Sequence, residues 1–210
     1  NVVRRSGMLV PEFYNVAQRA FSKKDPREMN LSKKEISELL AERRRLNACY
    51  RDLLRELLPS LKSYIEQKRR IVNAGGDVLK DESLATQREQ LLDRLQDVDI
   101  HQEEILAFAD KFNNAERRIR RFQKEEEKIE KRLHVSNMRE LRALGRGLAM
   151  KDRRSRIEED LGLSADVIKE KIRQIQITQK KLKGLEHEFE NEIDDILTMA
   201  KEVARGRIMM

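Results

Sequence analysis

Two rows of mostly apolar residues at seven-residue spacing constrain this chain more than anything else in it. Ile36, Arg43, Tyr50, Leu57, Tyr64 and Ile71 form the first row, with Leu39, Leu46 and Leu53 beside it. Leu84, Leu91, Val98, Ile105, Phe112 and Ile119 form the second, filled in by Leu95, Phe122, Ile129 and Leu133. A repeat of seven keeps one narrow stripe on one side of an α-helix, and such a helix is stable only when the stripe meets another. Between the rows, Gly75-Gly76 is the strongest break in the sequence, and Asp77 is the natural cap for the helix that follows. Two long rods joined by a few residues run antiparallel and pack on each other. The expected fold is therefore all-α. Its centre is a long antiparallel, coiled-coil-like helical hairpin over residues 31–135 that turns near 74–77. At 1.5 Å per residue its arms measure ~60 Å and ~80 Å. Pro59 lies inside the first arm and is expected to kink it without ending it.

The flanks read as further helices. Residues 1–30 hold a short amphipathic helix carrying Phe13, Val16, Ala17, Ala20 and Phe21, stopped by Pro26. Ser32 with Glu35 is a capping-box pattern that opens the hairpin. Residues 136–163 read as short helices and a basic loop. There Asn137 and Glu140 form a cap, Gly145 and Gly147 break the helix, and Arg156 to Leu161 give a turn or two before Gly162. Residues 164–210 read as one long helix capped by Ser164, with Ile168, Ile172, Ile175, Leu182, Phe189, Ile193, Ile196, Ala200 and Val203 on one face. With 8 Gly and 3 Pro in 210 residues, little material remains for the turns of a β-sandwich. Charged residues at 40% beside apolar residues at 39% favour long helices over disorder. The longest apolar run, Ile105 to Ala109, is too short to cross a bilayer, and no charged-then-apolar leader opens the chain. Together with a single cysteine, Cys49, this leads us to expect a cytoplasmic protein with no membrane partner. Because the chain begins with Asn1 and closes on a helical pattern, we also expect a piece of something longer.

Catalysis needs converging groups, and few candidates present themselves. His101, His134 and His187 are far apart, and the positions three before them are Val98, Lys131 and Gly184, so no di-metal Glu-x-x-His motif forms. One cysteine makes no zinc cluster. Gly145-Arg146-Gly147 lacks the third glycine and the preceding strand of a dinucleotide loop. The expectation is a protein that is not an enzyme, with no catalytic, metal or cofactor residues and no small-molecule substrate.

The basic charge is uneven. Arg139, Arg142, Arg146, Lys151, Arg153, Arg154 and Arg156 stand against Glu140 and Asp152, so residues 139–156 carry +5 (7 − 2) of the net +7. Such a surface attracts phosphate backbones through counterion release without base contacts. No aromatic residue lies among these arginines, so base stacking is not suggested. Arg117, Arg118, Arg120 and Arg121, and likewise Arg43 to Arg45, read as solvated helix faces paired with nearby Glu.

Ile157-Glu158-Glu159-Asp160-Leu161-Gly162-Leu163-Ser164-Ala165-Asp166-Val167-Ile168-Lys169 resembles a segment of bacterial primary (housekeeping) sigma factors that precedes their core-binding helix. Ser6 to Ala17, with Pro11-Glu12, is similar to the helix after their first conserved region, and Arg117 to Leu133 fits the long helix of the variable insertion between. The resemblance rests on about 25 of the 210 residues. It departs from the family at Gly206-Arg207, which lies 44 residues after Gly162, about four heptads further than the family pattern. The family's asparagine-leucine-arginine-leucine helix does not occur in this sequence, so none of its functional residues carries over. The resemblance implies transcription initiation: a helical region that binds RNA polymerase core through the largest subunit, touches promoter DNA at its backbone, or both. The heptads alone equally support a free-standing coiled-coil adaptor or scaffold.

Overall fold

A computed structural model describes residues 2–208, with the side chains of Arg207 and Ile208 excepted. Asn1, Met209 and Met210, the last two part of the expected terminal helix, lie outside the described residues. The described chain is all-α, with no strand. Its helices are α1 (Leu9–Ala20), α2 (Lys33–Asn73), α3 (Glu82–Gln96), α4 (Gln102–Leu133), α5 (Met138–Ala149), α6 (Lys151–Leu161), α7 (Ala165–Phe189) and α8 (Ile193–Ile208). None is long and apolar enough to cross a membrane.

α2 begins where the capping box places it. The Ser32 side chain accepts from the Glu35 N–H at 3.3 Å, and the Glu35 carboxylate accepts from the Ser32 N–H at 2.7 Å. The Ser32 hydroxyl also donates to that carboxylate at 2.7 Å, and this bond, with the one from the Ser32 N–H, holds the Glu35 carboxyl below its ordinary range. The helix runs on through Pro59, which is exposed, and buries Leu46, Tyr50, Leu54, Leu57, Leu61 and Tyr64 on one face. α1 lies against this face, with Phe13 edge-on to Tyr50. At the other end, Gly75 takes φ +75°, a conformation glycine adopts without steric cost, and α3 folds back along α2 to complete the hairpin. Asp77 is not the cap of α3; it accepts from the Leu79 N–H at 3.0 Å within the turn, and Asp81 caps the helix by accepting from Leu84 N–H at 2.8 Å.

The return arm is not one rod. It breaks over residues 97–101, where Val98 and Ile100 both turn inward and His101 caps α4. The Arg4 guanidinium donates to the carbonyls of Gln96 and Val98, supplying partners for the open end of α3. After the break the expected row turns outward at Ile105 alone. Ile105, on the expected row, faces solvent at 41% exposure, while Glu104, Phe108, Phe112, Ala115, Ile119 and Phe122 face the core. α4 then leaves α2 and packs along α7 and α8, with Phe112 against Phe189 and Gln179 donating to Glu126.

The terminal helix also breaks, at Glu190, whose φ of 53° is left-handed. Its expected apolar stripe nevertheless faces inward through both halves: Ile168, Ile175, Phe189, Ile196, Ala200 and Val203 are buried. Ser164 occupies the cap position of α7, but its hydroxyl makes no capping bond; the Glu158 carboxylate accepts from the Ala165 N–H at 2.6 Å instead. Gly184 sits in mid-α7 with nothing within 4 Å of a would-be Cβ. Replacing it with alanine should stabilise the protein by about 0.5–1 kcal/mol, read as a shift in urea midpoint at constant slope.

Two apolar cores result. The larger is built from α1, α2, α3, α8, the first two-thirds of α4 and the end of α7 at Leu185 and Phe189. The smaller joins Leu133, Leu141, Leu148, Ala165, Ile168 and Ile175, from the end of α4, α5 and the start of α7. Between them, the α4–α7 pair forms a two-helix neck.

Candidate functional site

The seven cations singled out by sequence all lie beyond this neck, on α5 and α6, and all are exposed. They do not lie in a loop. α5 continues through Gly145 and Gly147 to Ala149, and the break falls at Met150, where the backbone turns extended. Asn137 caps α5 as expected, accepting from the Glu140 N–H at 2.9 Å. Gly147 is buried because α6 comes directly onto α5: a Cβ there would lie 2.7 Å from Ile157 Cδ1.

Arg139, Arg142 and Arg146 are spaced i, i+3 and i+7 on the outer face of α5. Lys151, Arg153, Arg154 and Arg156 spread around α6, which has no fully buried residue. Among the described residues, only Arg154 of the seven makes an ion pair, with Glu158 at 3.6 Å. The other clusters differ in part. Arg120 and Arg121 pair with Glu116 and Glu125 within α4, and Arg45 is bound by Glu103 and Glu104, whereas Arg43, Arg44, Arg117 and Arg118 make no ion pair among the described residues.

The charges of α6 also run against its dipole. Lys151, Arg153, Arg154 and Arg156 outnumber Asp152 in its first two turns, while Glu158, Glu159 and Asp160 occupy the last turn, where no basic residue stands. Each charge misplaced in this way costs a helix about 0.3–1 kcal/mol at low ionic strength. With no side-chain cap and no fully buried residue, α6 gains little elsewhere to offset it. Folding therefore gains little from these cations.

Sequence reasoning missed what lies beside them. An open groove of about 390 Å³ runs between α5 and α7, with Arg142 and Arg146 at its edge and Ile172 and Gln176 contributed by α7. The i, i+4 spacing of Ile172 and Gln176 was visible in the sequence, but not that α5 would lie across it. No group of His, Cys, Asp and Glu among the described residues is arranged to hold a metal ion. No family model matches the chain, and no solved structure matches it.

Proposed function

We propose that the chain is a non-catalytic region of a bacterial primary sigma factor, preceding its core-binding helix. In this reading it meets RNA polymerase core through the largest subunit, contacts upstream promoter DNA at the phosphate backbone, or both. The observation that carries the reading is the α5–α6 surface: seven exposed cations, only Arg154 of them in an ion pair among the described residues, four of the seven on α6, whose charges mostly oppose its own dipole. The family resemblance of residues 157–169 supplies the transcription context; these residues comprise the end of α6, the left-handed Gly162 and the start of α7.

Reversing Arg153, Arg154 and Arg156 to Glu tests it. Binding to duplex DNA or to polymerase core at low salt should fall by at least roughly tenfold. If the contacts are to phosphates, the slope of log affinity on log salt should drop by about two to three. Unchanged affinity across the titration would overturn the reading. Self-association by sedimentation, with no binding to either partner, would favour the scaffold alternative instead.

A further inference from the structure

We propose that the α5–α7 groove is a docking site for an acidic amphipathic segment of a partner protein, which seats an apolar side chain in the groove and sets carboxylates against Arg142 and Arg146. The inference takes from the proposed function only that this end of the molecule meets a partner, and it stands if the transcription role fails.

The groove is apolar inside and cationic at the rim. Ala149 of α5, Ile172 of α7 and the nearly buried Leu141 give it an apolar floor, with Gly145 between them and Gln176 beside Ile172, while both arginines are exposed and have no ion pair among the described residues. A bare phosphate backbone has nothing to bury on such a floor. A peptide with an apolar anchor flanked by acids matches both features, and local charge of +5 over residues 139–156 disfavours a basic one.

Gly145 is the second observation. It lies inside α5, where glycine weakens a helix relative to alanine. A Cβ there would sit 3.8 Å from Ile172 Cδ1, an ordinary contact, so packing does not require the glycine. The buried Gly147 two residues on is different, since α6 crosses it closely. At residue 145 the missing side chain keeps the groove open.

The test uses the full chain and a fluorescein-labelled synthetic helix with leucines on one face and glutamates on its flanks. Two controls replace its leucines by alanine or its glutamates by lysine. The acidic peptide should bind with a dissociation constant on the order of 100 μM, and each control should bind roughly tenfold or more weakly. Gly145→Leu fills the groove and raises helix propensity, so it should abolish peptide binding without lowering the melting temperature. If that variant proves misfolded, Arg142→Glu with Arg146→Glu, confined to exposed positions, should give the same loss. Equal binding of either control peptide overturns the proposal, as does undiminished binding by well-folded Gly145→Leu. So does a duplex DNA whose own affinity falls equally with Gly145→Leu, because the groove would then be a phosphate site.

Discussion

Replacing Glu190 with alanine should cost about 3–5 kcal/mol of stability and lower the melting temperature by about 10 °C or more. Its side chain is wholly buried at the break between α7 and α8, where Tyr64 Oη and Lys68 Nζ of α2 donate to it, the latter at 2.5 Å. Arg88 of α3 donates from 3.4 Å. Removing the carboxylate leaves two cations, each less than one-fifth exposed, without their common acceptor. That loss outweighs the relief of hydrophobic area, because a buried charge without its counterpart is the costly state. Burial, followed by the negative charge of Glu190, also drives the Tyr64 hydroxyl well above its ordinary range, keeping it a neutral donor.

The same position is strained: a left-handed φ costs a non-glycine residue about 1 kcal/mol. Glu190→Gly should therefore lose less than Glu190→Ala by about that amount. Adding Lys68→Met to Glu190→Ala should recover part of the loss, since one orphaned cation disappears. Equal stabilities of the single and double variants in urea unfolding would show that the ion pair is not the cause. Ser6 and Gly7 meet the same break, where the Asn191 side-chain oxygen accepts from Ser6 Oγ at 2.9 Å and from Gly7 N–H at 3.1 Å.

Arg45→Met should be the second severe change, at about 3 kcal/mol near neutral pH. Arg45 grips the buried Glu104 with both guanidinium ends, at 3.0 and 2.7 Å, and Tyr50 Oη donates to the same carboxylate at 3.3 Å. Burial alone would raise the Glu104 carboxyl; the hydrogen bonds and charge of Arg45 outweigh it and hold the group below its ordinary 4.5. A carboxyl depressed in the folded state adds stability that is present above its unfolded pKa and drains away as pH falls through the folded one. The parent protein should thus lose stability below about pH 4.5, and Glu104→Gln should lose less over the same interval. Arg45→Met reverses the sign. Its unpaired Glu104 takes up a proton more readily, so its deficit against the parent should shrink as the solution is acidified. A deficit constant from pH 7 to about pH 4 would exclude this account.

Tyr50 links the two effects to the break before α4, because its hydroxyl accepts from the His101 N–H at 2.7 Å. Burial, offset in part by that bond, pushes the phenol up to about 12.

The heptad rows made the buried face of α2 legible at Tyr50, Leu57 and Tyr64, and that of α7 and α8 from Ile168 to Val203. Periodicity is local, so it survives whatever lies opposite. It could not place the break at residues 97–101, because Val98 suits a stripe as well as an inward-turned link; Ile105, in the first turn after the break, then went outward while Phe112 and Ile119 of the same row stayed buried. Gly145 and Gly147 read as helix breakers by propensity, yet α5 continues through them because its Leu141 and Leu148 are anchored in the small core. Glu104 and Glu190 gave no sign of burial, since their partners are 59 and 122 residues away along the chain. The basic surface was visible as composition; its helical form and the groove beside it depend on the long-range crossing of α5 and α7.

The neck separates how firmly each end is built from how far apart the ends lie. Adding one heptad to α4 and its counterpart to α7 would carry the basic hairpin outward by ~10 Å while each stripe kept its facing and both cores their neighbours. Working distance is thus a dimension that can be tuned by length alone, as a crane's boom is extended without rebuilding cab or hook.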